Sequence, residues 1–369
     1  MKIIHIIPFL WSGAGKVLTD LCISQQARHD VMIVTSGRSK GLVDWPMYRR
    51  KLAEHGVSHQ HIDFFDRDSA VFWKSVQELS ELVSKFQPDV VHCHSGVAAC
   101  AASAVRDTNE DAFRLIGQLH SWGTDRPEWM NTMDISGFIR SDLVIANAAA
   151  YRRILVKGGV PREKIVSIPW GVAPEAMMKL PNLDRRKSGR IGFVGRVERR
   201  KGQLELVRAF DQVRQARPEV KLELAGPVAD TSYAREIEEE IRDRQLSDSV
   251  WLGGPVRDVY RRERNWDLFV SLSSDEGQGM AILEAMAIGV PVLARNCAGV
   301  EDYLEDGKNA IALKSDATGD VANTIEWALN HPKETSKLSL QARKMVEVTY
   351  PWDKTVLAME TVYGIWEAR

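Results

Sequence analysis

Short apolar runs alternate along the chain with longer stretches whose apolar positions recur at helical spacing. Residues 2–7 read as a strand, 9–16 as a turn, 17–26 as a helix and 31–35 as the next strand. The alternation continues through a helix at 70–86, strand ends at 88–95 and 115–122, and strands at 142–147 and 164–172. Positions 173–189 interrupt it with Pro174, Pro181 and the basic run Arg185, Arg186, Lys187, a linker composition. It then resumes with a strand from Arg190, a helix through Arg208 and Phe210, and strands at 221–226, 250–253, 268–270 and 291–294. Strand and helix in alternation predict parallel sheets in α/β units. The expectation is therefore an N-terminal domain at 1–172, a linker at 173–189 and a C-terminal domain at 190–351. After Pro351, Trp352, Val356, Met359, Tyr363 and Trp366 fall on one helical face. So apolar a stripe needs a surface to cover, within the chain or at an oligomer contact.

Composition narrows the class. A hydrophobic content of 44% fills substantial cores, and a formal net charge of −1 gives no reason to expect nucleic acid as a partner. Cys22, Cys93, Cys100 and Cys297 form no CxxC pair and read as thiols of a reducing compartment. The N-terminal run is too short and too β-branched for a signal peptide, and no apolar run approaches the ~20 residues of a membrane span. A cytoplasmic protein is expected, with peripheral contact to a membrane and the oligomeric state left open.

The chemistry concentrates at 268–291. The apolar run Leu268, Phe269, Val270 leads into the polar turn Ser273, Ser274, Asp275, Glu276, Gly277, Gln278, Gly279, and a helix-forming run begins near Met280 and stops at Gly289. A strand, a glycine turn and a helix N-terminus leave backbone N–H groups free for a phosphate. Glu276 lies in the turn, and Glu284 is the one polar residue of an otherwise apolar helix. The step of eight residues from one to the other spans at most ~12 Å if helical, about the reach needed to hold both ends of a diphosphate-linked ligand. A buried carboxylate satisfied by a core partner is the plainer alternative for Glu284.

Glu, seven residues and a second Glu, set within Glu-Gly-x-Gly-x-x-x-Leu-Glu-Ala-Met-Ala-x-Gly-x-Pro-Val, resembles the signature of family-4 retaining glycosyltransferases of the GT-B fold, and the likeness extends over nearly the whole chain. It implies two Rossmann-like doubly wound parallel-sheet domains facing a central cleft, acceptor-binding first and donor-binding second, with the last helix packing back on the first. It also implies the site residues. Gly-Arg followed by Lys-Gly falls on Arg196 and Lys201, which would neutralise a departing diphosphate. Gly277, Gly279, Met280 and Ala281 would add backbone contacts, Glu284 would hold the ribose hydroxyls, and Glu276 would contact sugar hydroxyls near the reacting carbon. The histidine of the strand end at 115–122 falls on His120, which would bind near the sugar from the opposite domain.

Other motifs compete with these. The turn at 9–16 fails the dinucleotide fingerprint at Leu18 and the Walker A pattern at Leu10 and Val17. It resembles the GT-B glycine turn near the reacting end of the donor, through Gly13 and Gly15, although Ser12 stands where the family usually has a further glycine. A strand-to-helix turn needing only conformational freedom is the alternative. Asp66-Arg67-Asp68 reads as a helix cap rather than a metal motif. Three strand-end histidines, His92, His94 and His120, invite a metal, but no carboxylate or cysteine is spaced to complete a site. Asparagine is frequent in the family at Trp170 and serine at Asn147, and an aromatic residue at Gln278.

The expected activity is retaining transfer of a hexosyl group from a UDP- or GDP-sugar to a hydroxyl of a sugar, lipid-linked or small-molecule acceptor, with no cofactor and no metal in the chemical step. Another GT-B enzyme, such as a sugar-nucleotide epimerase, or a non-catalytic nucleotide-sugar-binding relative is the alternative.

Overall fold

A computed structural model describes residues 1–36, 45–65, 68–107, 113–122, 127–177, 188–256 and 258–364. Asp66, Arg67, positions 178–187 of the expected linker and Trp366 lie outside the described residues. The chain divides into two compact units, Met1–Trp170 with Asp353–Arg369, and Gly171–Trp352.

In the first unit, β1 (Lys2–Ile7), β2 (Asp30–Thr35), β3 (Ser58–His61), β4 (Val90–Cys93), β5 (Arg114–Leu119), β6 (Leu143–Ala146) and β7 (Ile165–Ser167) form a parallel sheet of order β3-β2-β1-β4-β5-β6-β7. Parallel strands lie between helices and are buried on both faces, which is why β1, β2, β4 and β5 read as apolar runs. Ile4, Ile6, Val34, Val91 and Leu115 pack with Leu79, Val83, Ala98 and Ala102 from neighbouring helices. The edge strand β3, Ser-His-Gln-His, is largely exposed and carries no such pattern.

The first helix begins at Ser12, five residues earlier than the sequence pattern indicates, so Gly13 and Gly15 lie inside it rather than in a preceding turn. Trp11 is extended and Gly15 N–H already donates to its carbonyl at 3.0 Å. A Cβ on Gly15 would come 2.6 Å from the Leu10 carbonyl carbon, so this glycine is required by close packing, whereas one on Gly13 would meet nothing within 4 Å. Ser12 has φ +53°, a conformation that glycine adopts at less cost. Asp68 caps the helix Ser69–Phe86, its carboxylate accepting from Ala70 N–H at 2.8 Å.

The helix Trp352–Gly364 contributes its residues from Asp353 onward to this unit. It buries Val356, Met359, Val362 and Tyr363. Thr355 Oγ1 donates to the Pro169 carbonyl at 2.9 Å, Tyr363 Oη meets His92 Nδ1 at 2.7 Å, and Glu360 pairs with Arg28 at 2.7 Å.

In the second unit, β8 (Arg190–Val194), β9 (Lys221–Ala225), β10 (Val250–Gly253), β11 (Leu268–Ser271), β12 (Val292–Arg295) and β13 (Ile311–Leu313) form a parallel sheet of order β10-β9-β8-β11-β12-β13. The described start of the expected linker is not free chain: Ala176 of the short helix Pro174–Met177 is buried, and the Met177 carbonyl accepts from Arg343 Nη2 at 2.7 Å. Among the described residues, no helix is long and apolar enough to cross a membrane.

Each sheet has one place where chain-order neighbours part in opposite directions, between β1 and β4 in the first and between β8 and β11 in the second. Ligands of open α/β sheets gather beyond the strand carboxyl ends at such points.

Candidate functional site

Beyond β8 the chain passes Gly195 and Arg196 and turns through a short 3-10 helix, Arg199–Lys201. Beyond β11 it enters the Ser273–Gly279 turn. The two segments are stitched together: Ser274 N–H donates to the Arg200 carbonyl at 2.9 Å, and Arg200 Nη1 donates to the Asp275 carbonyl at 2.8 Å. Four residues singled out from the sequence, Arg196, Lys201, Glu276 and Glu284, therefore come from the two strands that flank the switch point, or from the helix that follows one of them.

Their partners differ. Lys201 Nζ donates to Glu276 Oε1 at 2.6 Å, and both side chains are largely buried. Burial works to raise the Glu276 carboxyl, but Lys201, with Ser273 and Arg200, more than offsets it and holds the group below the usual carboxylate range. Arg196 pairs with Glu198 at 3.0 Å, and the same carboxylate oxygen meets Arg200 Nε at 2.7 Å. Three cationic groups, Arg196, Arg200 and Lys201, thus face three carboxylates, Glu198, Glu276 and Asp275, the last 3.7 Å from Arg200.

The helix Met280–Ile288 begins on this cluster. Gly279 caps it with φ +67° and supplies no side chain, and among the described residues the N–H groups of Met280 and Ala281 take no partner. An added Cβ on Gly279 would lie 2.6 Å from Tyr303 Oη, the hydroxyl that holds the turn by donating to the carbonyls of Gln278 at 3.0 Å and Gly279 at 3.2 Å. The backbone passes Gly277 on the way. Gln278, where an aromatic residue is frequent in the family, is buried. Glu284 sits one turn into the helix, 7% exposed, and accepts from Tyr260 Oη at 2.7 Å. A carboxylate, fixed cations and open helix N–H groups form a cradle for an anion bearing hydroxyls.

The first unit carries a separate cluster. His5 on β1 lies in register with His92 on β4, and His94 follows at that strand's end. His5 Nε2 meets Gln25 Oε1 at 2.8 Å, His5 Nδ1 meets His94 Nε2 at 3.0 Å, and His94 Nδ1 meets His120 Nε2 at 2.9 Å. Burial lowers His120 to about 4 and His5 to about 4, the latter despite its hydrogen bond to Gln25, and takes His92 and His94 well below the ordinary value. The trio whose nitrogens approach one another within 4.8 Å is His5, His92 and His94, not His92, His94 and His120. Both nitrogens of His5 and of His94, and Nδ1 of His92, are occupied by hydrogen bonds.

Two positions that depart from the family pattern converge on His120. Trp170 stacks on its ring at 5.6 Å and 19°, and Asn147 Nδ2 donates to its carbonyl at 3.3 Å. Sequence reasoning missed His5, Gln25, Tyr260, Tyr303 and the Arg200–Glu198 pair. Only His5 announced itself, as one polar residue in the run Ile3, Ile4, His5, Ile6, Ile7.

Residues 11–176 match the family model described as Glycosyltransferase Family 4, and residues 181–345 match Glycosyl transferases group 1. Among solved structures, Anabaena HepE in complex with UDP and glucose superposes with a TM-score of 0.85 at 19% identity, covering 98% of this chain and 99% of that one. A sucrose-phosphate synthase from Thermosynechococcus elongatus gives 0.82 at 19% identity, covering 100% of each chain. Two parallel-sheet units of this kind are the GT-B architecture, and the protein is a glycosyltransferase. Curated relatives include the putative glycosyltransferase EpsD of Bacillus subtilis, 23% identical over 78% of this chain and 79% of the relative, and the D-inositol 3-phosphate glycosyltransferase of Gordonia bronchialis, 26% identical over 83% and 67%. With the two family models spanning 11–176 and 181–345, the chain belongs to the family-4-type GT-B glycosyltransferases.

Proposed function

We propose that the protein transfers a hexosyl group from a nucleoside-diphosphate sugar, UDP- or GDP-linked, to a hydroxyl acceptor with retention at the anomeric carbon. The second unit is the donor-binding domain and the first the acceptor-binding domain. The observation that carries this reading is the cationic turn at the β8–β11 switch point, where Arg196 and Lys201 sit beside a helix N-terminus whose Gly279 cap supplies no side chain. Bond breaking leaves charge on the diphosphate, and fixed cations and N–H groups stabilise charge as it develops. Arg196, Lys201 and the N–H groups of Met280 and Ala281 take the diphosphate, with Gly277 and Gly279 letting the backbone come close. Glu284 holds the ribose hydroxyls with one oxygen anchored by Tyr260. Glu276, kept ionised by Lys201, faces sugar hydroxyls near the reacting carbon. Among structural neighbours, HepE is described with UDP and with UDP-glucose, which supports a uridine nucleotide as the first donor to try.

His120 meets a hydroxyl of the sugar or the acceptor, and Gly13 and Gly15 shape the chain nearby. In this reading no carboxylate acts as a nucleophile. The reading is therefore front-face substitution, with the departing phosphate oxygen taking the acceptor's proton, and needs no metal. The sugar released by slow hydrolysis of UDP-, GDP- and ADP-glucose, followed by proton NMR, tests it. The α-anomer should appear first from the α-linked donor. First appearance of the β-anomer would exclude retention, and no hydrolysis of any donor would count against the activity.

A further inference from the structure

The row of hydrogen-bonded histidines in the first unit leads beyond this reading, while resting on its placement of His120 at a reacting hydroxyl. We propose that Gln25, His5 and His94 are positioning residues that fix His120 as the Nε2–H tautomer, so that its Nδ1 accepts a hydrogen bond from a sugar or acceptor hydroxyl.

A neutral imidazole has one N–H and one bare nitrogen, so a hydrogen bond at one nitrogen decides the state of the other. The Gln25 carbonyl oxygen can only accept, and at 2.8 Å it requires the proton of His5 on Nε2. His5 Nδ1 is then bare, and the His94 Nε2 facing it at 3.0 Å must donate. His94 Nδ1 is bare in turn, and His120 Nε2 donates to it at 2.9 Å. One amide orientation thus sets three tautomers in succession, and the row ends on His120 Nδ1. Turning the Gln25 amide over would reverse every bond and present an N–H there instead.

The surroundings suit such a device. His5, Gln25 and His94 are buried, whereas the His120 residue at the end of the row is partly exposed. Burial keeps the rings neutral, which the single-proton argument requires. Trp170 fixes the plane of His120 by stacking, and Asn147 holds its backbone carbonyl.

The test has two arms. In protein labelled with 15N-histidine, long-range proton–nitrogen NMR should show His5, His94 and His120 all carrying the proton on Nε2. A proton on Nδ1 of any of the three overturns the proposal, whatever the activity. In the second arm, donor hydrolysis is compared across substitutions at Gln25. Gln25→Met removes the acceptor and should lower kcat about three- to tenfold, the worth of one hydrogen bond, with nucleoside-diphosphate affinity unchanged. Gln25→Glu, whose ionised carboxylate only accepts, should recover most of that loss at a pH where it is ionised. Equal kcat in wild type and Gln25→Met, or equal loss in both variants, would reduce the row to packing. Unchanged turnover in His120→Ala would instead remove the placement of His120 on which the proposal rests, leaving the tautomers themselves as measured.

Discussion

Glu276 and Lys201 show what a pair of residues can reveal that a motif does not. The sequence marks both as donor-site candidates, yet nothing in their spacing says that they meet at 2.6 Å. The contact exists because β8 and β11 are neighbours in the sheet. It also sharpens a prediction. Glu276→Gln should keep most nucleotide affinity and lose turnover, since its proposed role is at the sugar as charge develops. It should also lower the melting temperature of the second unit, because Lys201 is left buried without its counter-charge, a loss of up to about 3–5 kcal/mol for a fully buried pair. Calorimetric affinity, turnover and thermal melting of the variant check all three. The histidines give a second prediction. His5 and His120 are lowered from the ordinary 6.5 to about 4. Between those values the unfolded chain binds more protons than the folded one, so stability is full above about pH 6.5 and falls as pH drops toward 4. The loss should be roughly 1 kcal/mol per pH unit for each histidine, and denaturant titrations from pH 7 to pH 4.5 should show it. A flat profile would mean that the rings are not held neutral.

Among the elements, parallel buried strands were the most legible, because covered faces demand unbroken apolar runs. The edge strand Ser58–His61 was not read: exposed and polar, it is held by backbone pairing to β2, with His59 meeting Thr35 Oγ1 at 2.8 Å. The first helix was read five residues short because glycines at its start resemble a turn, and its packing against Leu10 cannot be seen without coordinates. The last helix was legible as one apolar face, and its described part buries Val356, Met359, Val362 and Tyr363. At about 1.5–3 kcal/mol for each fully buried apolar side chain, its removal should be costly. A chain ending at Trp352 should melt at a markedly lower temperature, with the loss in the first unit. An unchanged melting temperature would show that the helix contributes nothing to that unit.

For the whole molecule, alternation and the Glu-containing window were enough to reach the GT-B class, whereas the networks around His120 and Glu284 were not, because Tyr363 lies 271 positions from His92 and Tyr260 lies 24 from Glu284. Partners so far apart in sequence become neighbours only through sheet order and helix docking. Chemistry carried by Arg196, Lys201 and a helix N-terminus should survive excess chelator. Loss of activity restored by manganese or magnesium would contradict the charge assignment. The donor site itself is tested most directly by calorimetric titration of UDP, GDP and ADP into the wild-type protein and Glu284→Ala. One nucleotide should bind the wild type, and Glu284→Ala should weaken it about 10- to 100-fold, the worth of charge-assisted bonds to two ribose hydroxyls. Binding unchanged by the substitution, or no binding of any of the three to the wild type, would place the donor elsewhere.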